Sequence, residues 1–472
     1  MTPEFRKTKI VCTIGPATAS LSDLKALIEA GMNVARLNFS HGDHKTHRGT
    51  IKRIRKAARE VGRPVGILQD LGGPKIRLGQ MDDRQLIAGE DVVLSCGEKA
   101  QDDSLPVNYP YLCQDLSEGE SILLADGRVE LQVLAVGENR IGAKVIIGGL
   151  LTAHKGVNLP TSELRIAAFT DKDRDDLEFG LAEGVDFVAM SFIRHEKDLA
   201  PLNERIAKIT NRPLVIAKIE KPQAVDRLEP IIASVDGVMV ARGDLGVEMP
   251  LESVPIIQKK IIRMARCAGK VVITATQMLG SMVDSPRPSR AEVTDAANAI
   301  LDGTDAVMLS EETAVGKYPI KAVQVLDRVA LKTEPTLNPR QFLKDAISKD
   351  QPVADAAVSR AAAWMATDLN AALLVAATTS GSTARAMSRF RPWLPIIGLT
   401  ASPKTYRHLC LSYGVIPALV PANDDFDELL WQVNDYLKSE SLAKPGDPVI
   451  LTAGTPLNVT GTTNTVKVLE IE

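Results

Sequence analysis

The chain has 472 residues, 45% of them hydrophobic and 24% charged, with a net charge of −3. That length leaves room for about three domains. The composition is that of a soluble globular protein, and the slightly negative balance argues against a chain built mainly to coat nucleic acid. The cysteines Cys12, Cys96, Cys113, Cys267 and Cys410 are scattered, with no C-x-x-C pair. Reduced thiols, a cytoplasmic location and no structural zinc are expected. No apolar leader follows Met1 and no stretch approaches the length of a membrane span, so no membrane partner is expected.

Short β-branched runs stand at 9–14, 34–39 and 65–69, each trailed by a segment of helical character. The pattern then changes. Ile122-Leu-Leu-Ala-Asp-Gly-Arg-Val-Glu-Leu-Gln-Val133 places an Asp126-Gly127 turn between alternating apolar positions, a hairpin signal. Residues 140–147 read as a further strand, and 71–165 as a small all-β domain. Buried-strand runs resume at 187–192, 214–219, 237–240, 271–275 and 306–309. Eight such runs alternating with helices predict a closed (β/α)8 (TIM) barrel of class α/β, built from residues 1–70 and 166–335. The insertion after strand three sits at the carboxyl end of the strands, where barrel active sites lie, and is placed to act as a lid. A polar stretch at 332–351, with Pro335 and Pro339, marks a boundary. Residues 350–472 follow as a C-terminal α/β domain with strands at 373–377, 396–399, 448–452 and 465–471, an open sheet flanked by helices.

The barrel runs end on charge. Pro213-Leu-Val-Ile-Ala-Lys-Ile-Glu220 delivers Lys218 and Glu220, and Gly237-Val-Met-Val-Ala-Arg-Gly-Asp244 delivers Arg242 and Asp244. A strand interior rejects an unpaired charge, so charges placed where strands run out face a shared cavity. Arg36, Asn38, Ser40 and His41 follow strand two; Asp70, Lys75 and Arg77 follow strand three; Thr276 and Glu312 follow strands seven and eight. Two carboxylates with a lysine and an arginine suit a divalent cation and a phosphorylated anion.

The segments that carry these residues resemble the pyruvate kinase family. They are Asn33-Val-Ala-Arg-Leu-Asn-Phe-Ser-His-Gly42, Gly73-Pro-Lys-Ile-Arg77, Lys155-Gly-Val-Asn-Leu-Pro160, Lys218-Ile-Glu220, Met239-Val-Ala-Arg-Gly-Asp-Leu-Gly246, Ala275-Thr-Gln-Met278, Arg287-Pro-Ser-Arg-Ala-Glu292 and Met308-Leu-Ser-Glu-Glu-Thr313. The resemblance covers the whole chain. It implies phosphoryl transfer from phosphoenolpyruvate to ADP, giving pyruvate and ATP in the last step of glycolysis. It also implies a homotetramer under allosteric control.

On that resemblance Glu220 and Asp244 hold Mg²⁺ or Mn²⁺, Lys218 follows the phosphoryl group as a point charge, and Arg36 clamps it. The turn of Ala241, Arg242, Gly243 and Asp244 offers backbone N–H groups to the substrate carboxylate. Thr276 lies near the carbon that is protonated, acting through water. Asn38, His41, Arg77 and Lys155 belong to the nucleotide side. One departure stands out. Many members carry Asp-Thr-Lys-Gly-Pro-Glu after strand three and need K⁺, whereas this chain has Asp70-Leu-Gly-Gly-Pro-Lys75. Asn38, Ser40 and Asp70 match the K⁺ ligands, but Lys75 can supply the monovalent charge, so K⁺-independent activity is expected.

Other features weigh towards plainer roles. His41, His44 and His47 have no further ligands nearby in sequence and read as solvated helix-start residues, with His41 alone near nucleotide. Cys12 and Met308 read as core, Glu312 as a partner of a barrel lysine or arginine, and 52–56 as a solvated helix face over Ile51 and Ile54. No Walker-type loop is present. Thr378, Thr379, Ser380, Gly381, Ser382 and Thr383 precede a helix carrying Arg385, Arg389 and Arg391, which the resemblance makes a pocket for the phosphate of a small-molecule effector. Two rival readings are a Mg²⁺-dependent barrel lyase acting on pyruvate-like substrates and a non-catalytic regulator that binds phosphometabolites.

Overall fold

The computed structural model describes residues 5–99, 102–345, 354–459 and 461–472. Eight parallel strands form a closed barrel: Lys9–Thr13 (β1), Val34–Asn38 (β2), Gly66–Asp70 (β3), Phe187–Met190 (β4), Leu214–Ile219 (β5), Gly237–Ala241 (β6), Val271–Ala275 (β7) and Ala306–Leu309 (β8). β1 pairs with β8 to shut it.

Side chains alternate along each strand, and the two parities have different fates. Val34, Leu68, Ile216, Met239 and Ile273 meet inside the barrel in one core. Ala35, Ile67, Ala217, Val240 and Val272 face outward into the layer shared with the helices. The inward parity continues past the apolar layer, so Arg36 and Asp70 stand above Val34 and Leu68, and Lys218 and Glu220 above Ile216. The helices that return the chain start on caps. Asp43 accepts the Thr46 N–H at 2.8 Å, and Thr170 and Ser289 form capping boxes with Asp173 and Glu292.

The segment after β3 builds its own sheet. Its order is Val157–Asn158, Ser121–Leu124, Val129–Val136, Arg140–Ile147, Asp91–Cys96 and Leu105–Val107, beside a two-stranded sheet of Arg84–Leu86 and Gly149–Leu151. The expected hairpin about Asp126-Gly127 is present, with Leu124 opposite Val129. Leu94, Ile122, Leu131 and Ile141 give this unit a core separate from the barrel's. One helical turn, Leu112–Asp115, interrupts the otherwise all-β chain.

The last sheet runs Val415–Leu419, Ile396–Thr400, Leu373–Ala377, Pro448–Gly454, Thr463–Glu470, with the final strand antiparallel. Val415–Leu419 is absent from the sequence-based reading. Pro417 breaks its strand pattern, and the position at the sheet edge is what makes that proline tolerable. The polar stretch at 332–351 is partly helical, holding the end of Pro319–Thr333 and then Pro339–Asp345, and residues 346–351 of it lie outside the described residues.

This C-terminal sheet unit seats under the amino ends of the barrel strands, opposite the inserted β unit. Cys410 and Leu411 complete the barrel's inner core from below. Asp305 accepts from Arg391 at 2.9 Å, and Asp186 from Arg55 at 2.7 Å and Arg407 at 2.8 Å. Among the described residues no helix is long and apolar enough to cross a membrane.

Candidate active site

The inward parity of β2, β3 and β5 produces a connected chain of charges at the barrel mouth. Arg36 Nε donates to Asp70 Oδ2 at 2.7 Å, and its Nη1 to Thr13 Oγ1 at 3.0 Å. Lys218 Nζ lies 3.3 Å from Asp70 Oδ1 and 2.8 Å from Glu220 Oε1, and donates to Ser191 Oγ at 2.8 Å. The side chains of Asp70 and Glu220 are each 1% exposed, so these are buried ion pairs rather than surface ones. The Phe192 N–H donates to Glu220 Oε2 at 2.7 Å, from a residue with a φ of +56°.

The charges bias one another. Burial alone would raise the Asp70 carboxyl, but Lys218 and Arg36 hold it below its usual range. Burial pushes Glu220 up to about 7, with Lys218 opposing and Asp244 adding to the rise. Burial works against the Lys218 ammonium, yet Asp70, Glu220 and Asp244 hold it well above the ordinary lysine value. Asp244 therefore lies within the field of both Lys218 and Glu220, as one shared site requires. Lys75 is lowered by burial and by Arg77 and Lys218, against the pull of Asp244 and Asp70. His41 is lowered by burial and by Lys75, Arg77 and Arg36, which puts it in the same basic neighbourhood.

The turn after β6 is more committed than its sequence suggests. The Gly243 N–H donates to Thr276 Oγ1 at 2.7 Å, and the Thr276 hydroxyl donates to the Ala275 carbonyl at 2.6 Å. Arg242 turns away from the cavity. Its guanidinium is held by Asp295 at 2.7 Å and by the Thr276 carbonyl at 2.7 Å, so it braces the end of β7. Thr276 and Gln277 both have positive φ, +71° and +54°. A β-branched residue pays a steric cost in that region, and the Arg242 brace is what holds it there.

Between the mouth and the inserted β unit lies a cleft of about 520 Å³, lined by Lys75, Arg77, Lys155, Asn158, Lys221 and Asp244 among others. Arg77 Nη1 donates to the His154 carbonyl at 3.0 Å. Asn38 Oδ1 accepts the Ser40 N–H at 3.0 Å, and Asn38 stands beside Asp70 in register. In the C-terminal unit, Thr378, Thr379, Ser380, Ser382 and Thr383 line a separate cavity of about 100 Å³. Gly381, with a φ of +82°, turns the loop and donates its N–H to Thr378 Oγ1 at 2.9 Å.

Several plainer expectations need revision. His47 is buried and stacked on Phe39 at 4.0 Å, and His44 meets Asp176 at 2.7 Å and stacks on Phe179 at 4.3 Å. The His47 side chain is thus packed rather than solvated, whereas His44 keeps 44% of its side chain exposed beside its Asp176 contact. Among the described residues no group of three or more His, Cys, Asp and Glu side chains gathers as a metal cluster. Glu312 is buried but meets no barrel cation among the described residues; it accepts the backbone N–H groups of Ser310 at 2.7 Å and Leu279 at 3.0 Å. On the helix face at 52–56, Arg55 is drawn into an ion pair with Asp186. Cys12 and Met308 are core, at 0% and 2% exposure. Thr13, Ser191, Lys221 and Glu248 were not singled out in the sequence, although inward parity marks Thr13 and Ser191.

An eight-stranded barrel with an inserted β unit and a buried cation–carboxylate chain at its mouth is an enzyme architecture suited to a charged, phosphorylated substrate. Family models described as "Pyruvate kinase, barrel domain" and "Pyruvate kinase, alpha/beta domain" match residues 5–323 and 356–469. A pyruvate kinase of Geobacillus stearothermophilus is 45% identical over 98% of this chain and 80% of its own length. A pyruvate kinase 2 of Synechocystis is 46% identical over 99% of this chain and 79% of its own. The crystal structure of a pyruvate kinase from Cryptosporidium parvum superposes with a TM-score of 0.94 at 36% identity, covering 99% of this chain and 96% of that one. The chain belongs to the pyruvate kinase family, and it is accordingly a phosphotransferase.

Proposed function

We propose that the chain moves the phosphoryl group of phosphoenolpyruvate to ADP, giving pyruvate and ATP, with its chemistry at the mouth of the barrel. The observation that carries this is the contact chain Arg36–Asp70–Lys218–Glu220 with Asp244 in its field. Phosphoryl transfer is mainly positioning and charge stabilisation, and this chain supplies both. Glu220 and Asp244 fit Mg²⁺ or Mn²⁺, since a buried carboxyl raised to about 7 beside a second carboxylate is one that a divalent cation ionises at neutral pH. When bound, the ion supplies Lewis acidity to the substrate carboxylate and enolate oxygen.

Lys218, kept protonated by its carboxylates, follows the phosphoryl group, and Arg36 clamps it. The substrate carboxylate lies against the backbone of Ala241, Arg242, Gly243 and Asp244. The Gly243 N–H joins in once released from Thr276, and the Arg242 side chain acts by bracing. Thr276 relays a proton to the enolate carbon through water. If Thr276→Ala leaves the solvent isotope effect and enolpyruvate protonation unchanged, that role fails. Arg77 and Lys155 in the cleft, with Asn38 and His41, meet the nucleotide.

Lys75, in the field of Asp244 and Asp70, takes the monovalent-cation role of the Asn38, Ser40 and Asp70 position. Activity in K⁺-free buffer follows, and a strict K⁺ requirement would refute it. The loop of Thr378, Thr379, Ser380, Gly381, Ser382 and Thr383 with its cavity receives the phosphate of a small-molecule effector. A substrate saturation curve unmoved by phosphorylated sugars and AMP removes that reading.

The separate cores support a division into 1–70 with 166–335, 71–165 and 350–472. Exposed Leu251, Ile256 and Trp431, at 72%, 68% and 63%, support assembly, read here as a homotetramer. Five free cysteines support a reducing, cytoplasmic setting. The deciding experiment mixes phosphoenolpyruvate, ADP and Mg²⁺. Pyruvate and ATP appear together if the reading holds, and neither appears if it fails.

A further inference from the structure

The lid rests on the helix that follows β6, Arg242–Glu248, the helix that also carries Asp244. Two contacts make the seat. The lid's Asp126-Gly127 turn abuts the Val247 side chain, whose Cγ1 lies 3.7 Å from where a side chain at 127 would begin. Asn158, on the lid strand Val157–Asn158, donates from Nδ2 to Glu248 Oε1 at 2.7 Å. The same oxygen takes Lys221 Nζ at 2.5 Å. Glu248 and Lys221 are buried, at 5% and 7% exposure, so this is a charge-assisted contact shielded from water. Lys221 follows Glu220 directly, and Asp244 precedes Glu248 by one helical turn. The lid contact is thus fixed to the two segments that present the carboxylate pair.

We propose that Asn158 is a positioning residue for nucleotide, acting through Glu248 and Lys221. It sets the distance between the lid's cleft-lining Lys155 and the barrel's Asp244. This rests on the reading that Arg77 and Lys155 meet the nucleotide while Arg36 and Lys218 meet the phosphorylated acid. The groups that hold phosphoenolpyruvate belong to the barrel and do not move with the lid. The contact therefore bears on ADP and not on phosphoenolpyruvate.

The test is steady-state kinetics of the full chain with Mg²⁺, varying each substrate against saturating amounts of the other. Asn158→Ala is expected to raise KM for ADP roughly tenfold, the weight of a charge-assisted hydrogen bond, and to leave KM for phosphoenolpyruvate within about twofold. Glu248→Gln keeps an accepting oxygen but loses the charge, so it is expected to raise KM for ADP in the same direction and less than Asn158→Ala does, again with KM for phosphoenolpyruvate within about twofold. The Asn158→Ala, Glu248→Ala double variant is expected to be no worse than its poorer single. Equal changes in both KM values, no change in either, or effects of the two substitutions that multiply would overturn the proposal. Should Glu248→Ala fail to fold, the split shown by Asn158→Ala alone decides. Wild-type protein without phosphotransfer would be a failure of the proposed function instead, visible before any variant is made.

Discussion

Replacing Glu220 by glutamine should make the metal-free protein more stable at pH 8, although it removes a partner of Lys218. The Glu220 carboxyl is 1% exposed and is raised by burial from 4.5 to about 7. Between those values the folded chain holds a proton that the unfolded chain has released, so stability falls as pH rises through that window. The rise from 4.5 to about 7, at about 1.4 kcal/mol per pH unit, corresponds to roughly 3 kcal/mol of strain fully present above pH 7. Glutamine removes that term and keeps an oxygen for the Phe192 N–H. The contact between Lys218 and Glu220 at 2.8 Å is already inside that figure, since Lys218 pulls the carboxyl down against burial, and Asp70 at 3.3 Å still faces the ammonium in the variant. A net gain of about 1–3 kcal/mol at pH 8 is expected, shrinking towards pH 5. Urea unfolding with a chelator present, at both pH values, measures it. Adding Mg²⁺ should reverse the order, stabilising wild type and not the variant. A variant less stable than wild type at pH 8 without metal, or a difference that does not grow with pH, refutes the reasoning.

Lys218→Met should lower kcat by about 10²–10³ or more, and it should also destabilise the metal-free chain, because it leaves the buried Asp70 and Glu220 without their ammonium. Arg36→Lys keeps the charge but loses the fork that holds Asp70, so KM for phosphoenolpyruvate should rise more than kcat falls. Asp186→Asn strips a fully buried carboxylate from Arg55 and Arg407 and should cost about 3–5 kcal/mol, read by urea unfolding. A loss under about 1 kcal/mol would show that the pairs are dispensable to the seat of the C-terminal unit.

The barrel was legible because its signal is repetitive. Leu214, Ile216, Lys218 and Glu220 alternate on one parity, so a single run states both that the strand is buried and that its end is charged. What escaped is contact between segments that share no pattern. Asn158 and Glu248 lie in different structural units, and nothing in either segment announces the other. Arg242 looks free at a strand end, but Asp295 on a later helix claims it. His47 looks polar and solvated, yet the Phe39 ring gives it a stacking partner and the His41 carbonyl a hydrogen-bond partner at 2.9 Å. Pro417 hid an edge strand because the rule against proline in a sheet is relaxed only where one side has no neighbour.

Manganese titration followed by electron paramagnetic resonance tests most directly whether strand ends remote in sequence grip one ion. One tight Mn²⁺ per wild-type chain is expected, weakened by orders of magnitude in both Glu220→Gln and Asp244→Asn. Undiminished Mn²⁺ binding in either variant would contradict the account.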